Sequence, residues 1–91
     1  MTSDTIAIQT AAKFVVVSFW QDKSSDGRKG SHEYEAFPTL NDALDIYDEY
    51  DRGEFERARP VGIFAADESG LPIGTLSPLT LIRQLNERRA A

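Results

Sequence analysis

Cysteine is absent from the 91-residue chain, and histidine occurs once, at His32. These gaps exclude a disulfide framework, a thiolate zinc site, a cysteine nucleophile and any metal centre built from several imidazoles. Long apolar runs are missing too. None approaches the ~20 residues a membrane-spanning helix needs. The first twelve residues lack the basic n-region and apolar h-region of a secretory signal and the arginine-rich look of a transit peptide, so the expected compartment is the cytoplasm. A chain this short has room for one domain.

What is present suffices for one compact core: 41% apolar residues, with five Phe, three Tyr and one Trp. Charge is unevenly spread. Ten basic residues stand against fifteen acidic ones, a net −5. Glu33 to Glu56 alone holds nine acidic residues and one basic residue, Arg52, for a local net of −8, between flanks that sum to +3. An acidic chain does not attract nucleic acid or anionic membranes through its overall field, so neither is an expected partner.

Residues 1–12 carry only a weak signal. Ile6 and Ile8 alternate with small or polar neighbours, as a short strand or a weakly ordered segment would. Residues 13–91 read as a single α+β domain. Lys13 to Trp20 is the clearest strand, with Phe14, Val16, Ser18 and Trp20 on one face and Val15, Val17 and Phe19 on the other. Gln21 to Ser31 has no apolar side chain and reads as a loop. His32 to Phe37 alternates weakly, as a half-exposed edge strand does, and its charges discourage edge-to-edge aggregation.

Pro38 stops that strand and Thr39 caps a helix expected over 39–52. Leu40, Ala43, Leu44, Tyr47 and Tyr50 form its apolar stripe, and Gly53 suits the position just past its end. Pro60 to Ala66 is a second strong strand. Asp67-Glu68-Ser69-Gly70 is a turn, and Leu71 to Leu76 returns as a short strand that Pro72 confines to an edge. Ser77-Pro78 opens a second helix with a capping hydroxyl and a proline at its first position. Leu79, Ile82 and Leu85, with Leu81 alongside, form its expected buried stripe. Arg83, Arg88 and Arg89 are expected to face water.

The element order is ββαββα. A right-handed path from strand two to strand three around a central strand one predicts a four-stranded antiparallel sheet, order 2-1-3-4, with both helices on one face. The other face is then left open, although strand one is apolar on both sides. An uncovered apolar face of this kind is normally an interface, with the alternative that residues 1–12 or the long loop fold over it.

Searches for chemistry return little. Ser31 and His32 are adjacent, and on a strand their side chains point to opposite faces, the wrong geometry for a relay. An EF-hand frame with Gly53 at its sixth place would put Tyr50 and Arg52 at ligand positions, so it fails. Asp45, Asp48 and Glu49 share a helix side, which a solvated face explains more simply than a hydrated ion. Gly27-Arg28-Lys29-Gly30 lacks P-loop spacing. No cofactor is implied, and no catalytic set emerges.

Three functions follow as expectations. The first is a small non-catalytic protein-binding or regulatory module that self-associates through the open sheet face, using Val15, Val17, Phe19 and Trp20. The second is an acidic inhibitor or nucleic-acid-mimicking decoy that presents Asp45, Asp48 and Glu49 to a basic site on a partner protein. The third is a small ligand-binding domain or enzyme with a site near Trp20, which fold class cannot exclude.

Overall fold

A computed structural model describes residues 8–22 and 29–90. The elements run β1 (Lys13–Gln21), β2 (Gly30–Phe37), α1 (Leu40–Asp51), β3 (Ala58–Ala66), β4 (Pro72–Thr75) and α2 (Pro78–Ala90). The strands form one antiparallel sheet in the order β2-β1-β3-β4, as the sequence leads one to expect. Ile8, Gln9 and Thr10 are helical rather than extended, and Ile8 packs against the core. The rest of the expected N-terminal strand, Ile6 included, and the middle of the 21–31 loop lie outside the described residues.

Each element starts and stops where local chemistry requires. The Thr39 side chain accepts a hydrogen bond from the Asp42 amide at 3.1 Å and caps α1. At the other end Gly53 takes φ 76°. Its amide donates to the Tyr50 carbonyl (3.2 Å) and the Glu54 amide to the Glu49 carbonyl (3.1 Å), the paired bonds of a Schellman motif. That reversal lays Phe55 on Tyr50, with ring centroids 4.9 Å apart. The Ser77 hydroxyl accepts from the Thr80 amide at 3.2 Å and caps α2.

One core joins both helices to one sheet face. Phe14 and Val16 of β1 and Ile63 and Ala65 of β3 meet Ala43, Leu44 and Tyr50 of α1 and Leu81 and Leu85 of α2. Val16, Ile63 and Leu76 are closed to solvent, each worth roughly 1.5–3 kcal/mol in transfer terms. The stripe on α2 differs from expectation. Leu79 is 76% exposed and Ile82 56%, while Thr80, Leu81 and Leu85 are buried. At about 100° per residue Leu79, Leu81, Ile82 and Leu85 fall within an arc of about 160°, and the helix is turned so that the Leu81–Leu85 side of that arc, with Thr80 beside it, meets the core while Leu79 and Ile82 face out.

β4 pairs only with the far end of β3, from Phe64 to Ala66. The near end, Ala58 to Gly62, is therefore an edge. Pro60, which has no amide hydrogen, and a register shift opposite Val17 and Ser18 blunt it against further pairing.

Candidate functional site

Residues paired across an antiparallel sheet share a face. On the side away from the helices, the register sets Val15 between Ala36 and Phe64, Val17 between Tyr34 and Gly62, and Phe19 between His32 and Arg59. Among the described residues no element covers this side. Val15 is buried by its neighbours (7% exposed), Val17, Phe19 and Phe64 are half-buried, and Tyr34 is 65% exposed.

Phe19 anchors the polar end of the face. The Arg59 guanidinium carbon lies 4.8 Å from its ring centroid, a cation–π contact, and His32 meets it edge-on at 5.3 Å. Lys13 marks the other end of the same row on β1, and Arg57, whose carbonyl accepts from the Gln21 amide at 2.8 Å, extends the row beyond Arg59. The two carboxylates of β2, Glu33 and Glu35, stand on the helix side, opposite Ser18 and Val16.

Trp20 is not part of this surface. It lies on the helix side, edge-on to Tyr50 at 6.0 Å and tilted against Phe55 at 5.8 Å. Its indole N–H donates to the Ser18 hydroxyl at 3.0 Å, which satisfies a group wholly closed to solvent. Tyr50 donates to Glu35 at 2.6 Å. Burial, then the bond to Glu35, raise the Tyr50 phenol above its usual pKa, against an opposing bond from Ser18. Beside this aromatic group lies a depression of about 640 Å³ bounded by Trp20, Asp22, Glu54, Phe55 and Arg57.

The acidic residues of α1 are drawn into the fold. Arg88 pairs with Asp45 and hydrogen-bonds Asn41. Arg89 pairs with Asp48 and, at 3.1 Å, with Asp51. Arg52 reaches Asp48 at 3.3 Å. Arg83 and Arg89 are exposed, as expected, and Arg88 is half-buried; Arg88 and Arg89 also span the gap between the two helices. Glu49 contributes its carbonyl to the helix end and is half-buried. Among the described residues no group of three or more His, Asp or Glu is placed to hold a metal ion, and no helix is long and apolar enough to cross a membrane.

The structure thus joins Val15, Val17 and Phe19 and separates them from Trp20 and from Asp45, Asp48 and Glu49. Sequence reasoning missed Tyr34, Arg59 and Phe64. Alternation along β2 places Tyr34 opposite to Glu35, but only the β1–β3 register brings Arg59 and Phe64 beside Phe19 and Val15. No family model matches the chain, and neither a curated protein nor a solved structure matches it.

Proposed function

We propose that the chain is a small non-catalytic protein-binding module that docks its partner on the helix-free sheet face. One observation carries this reading. Both helices pack on the same side of the sheet, while the opposite side presents Val17, Phe19, Tyr34 and Phe64 with no described element above them. Apolar side chains with charged groups at the ends of the row resemble the apolar centre and polar margin of an interface. Cover for this face comes from a second copy of the chain or from another protein.

Photo-crosslinking from position 34 tests the reading, with the same probe at Leu79, on the helix side, as control. Capture specific to position 34 is expected, and equal capture from both positions counts against it. Tyr34→Ser should also leave stability within about 0.5 kcal/mol, since an exposed docking residue supports a partner and not the fold.

The depression at Trp20 favours a second reading, a small-ligand site. A ligand there would change the emission of the single tryptophan. The decoy reading has less support, because Arg88, Arg89 and Arg52 already engage Asp45, Asp48 and Asp51.

A further inference from the structure

Charge on the helix-free face runs against charge on the whole chain. The chain is net −5. Lys13 and Arg59 sit on the face, Arg57 extends its row, and the strands place no carboxylate there. The charges of the other described residues sum to −8. A depression of about 160 Å³ is lined by Phe19, Arg57 and Arg59 and by one carboxylate, Glu56. Arg59 is already set in place by its stacking on Phe19, so less side-chain freedom is lost when it meets an anion.

Resting on the docking reading above, we propose that the partner is an acidic protein segment in which carboxylates alternate with apolar side chains. The carboxylates meet Arg57, Arg59 and Lys13, and the apolar side chains cover Val17, Tyr34 and Phe64.

Charge separates this occupant from its two rivals. A second copy placed face to face doubles three cations and brings only one carboxylate, Glu56, with them. Like-charge juxtaposition of this kind works against the pair. A nucleic acid is a long polyanion and meets the field of the whole molecule, which is negative. A short acidic segment feels mainly what lies within a Debye length, about 8–10 Å, and there Arg57 and Arg59 outnumber the one lining carboxylate, Glu56.

The test is a chemical-shift titration of the isotopically labelled full chain with a short peptide of Glu interleaved with Leu and Phe. Its Lys-for-Glu counterpart and an oligothymidylate serve as comparison probes, and sedimentation equilibrium follows the chain alone. The acidic peptide is expected to shift the amides of Val17, Phe19, Tyr34 and Arg59. Binding should weaken about tenfold in Arg59→Glu and again in Arg57→Glu, and should fade as salt rises toward about 1 M. Two charge variants at exposed positions guard against misfolding of either one.

Equal or stronger shifts from the Lys peptide, the same amides moved by oligothymidylate, or a dimer on this face that tightens with salt would each overturn the acidic partner while leaving the docking face standing. A monomeric chain whose face amides respond to no probe overturns both.

Discussion

Tyr50 on α1 donates its hydroxyl proton to the Glu35 carboxylate on β2 across 2.6 Å, tying the end of the helix to the outer strand of the sheet. Tyr50 is itself buried and braced by Trp20 and Phe55. Loss of this bond leaves a carboxylate short of a donor, and hydrogen bonds to charged groups are worth about 1.5–3 kcal/mol. Tyr50→Phe should therefore lower the unfolding free energy by roughly that amount in urea melts followed by circular dichroism.

The same bond makes a prediction about pH. Tyr50 has its pKa raised by burial and by Glu35, and Tyr47 has its own raised by burial and by Asp51. A folded-state pKa above the unfolded value gives stability that is complete below the ordinary phenol value of 10.0 and is lost as pH rises through the folded value. Stability should fall on the alkaline side of that value. Ultraviolet titration of the phenols should show late ionisation that loses one step in Tyr50→Phe. An unchanged titration curve in that variant would refute the assignment.

Asp67 carries the opposite sign. Its carboxylate accepts from the Ser69 hydroxyl (2.6 Å), the Ser69 amide (2.9 Å) and the Leu71 amide (3.0 Å), closing the turn between β3 and β4. The Ser69 hydroxyl first, and then the Leu71 amide, hold its pKa below the usual carboxylate value. The stabilisation is present above the unfolded pKa and is lost as pH falls through the depressed one. The Ser69 and Leu71 amide shifts should move together in acid. Asp67→Asn keeps an acceptor oxygen and should retain the turn while abolishing that titration.

The fold was largely legible because strand and turn signals agree locally. The β-branched run of β1, Pro38 with Thr39, the Asp67–Gly70 turn and Ser77-Pro78 each mark a boundary the structure keeps. Boundaries failed where pairing, not composition, decides. β2 begins at Gly30 and β3 at Ala58, two residues earlier than expected in each case, because Trp20 and Gln21 offer them partners. The candidate site was half legible. Alternation put Val15, Val17 and Phe19 together, but no pattern within one strand shows which face the helices choose.

The arginines of α2 allow a contrast between charge and packing. Arg88 and Arg89 are surface partners of Asp45, Asp48 and Asp51. Exposed pairs of this kind are screened by solvent and by salt. Arg88→Ala or Arg89→Ala should each lower stability only slightly at low salt, and the effect should vanish near ~1 M salt. Leu81→Ala empties a buried position and should lose about 2–5 kcal/mol regardless of salt. Salt-insensitive losses at both arginines would mean that their stems, not their charges, dock the helix.

Gly30 marks the place where β2 first meets β1. A Cβ there would stand 2.1 Å from the Trp20 carbonyl oxygen and 2.8 Å from the Phe19 ring, and the first of these is backbone that cannot swing aside. Gly62 faces open space, and a Cβ added there would meet nothing within 4 Å. Gly30→Ala should therefore lose about 1–3 kcal/mol, the range for forced overpacking. Gly62→Ala should stay within about 0.5 kcal/mol of the parent. The loss at Gly30 must begin as a local peeling of the strand end. Amide exchange should accelerate at Gln21, Gly30 and Ser31 before it does at Val16 and Glu35, and uniform acceleration along β2 would show that the clash is relieved elsewhere.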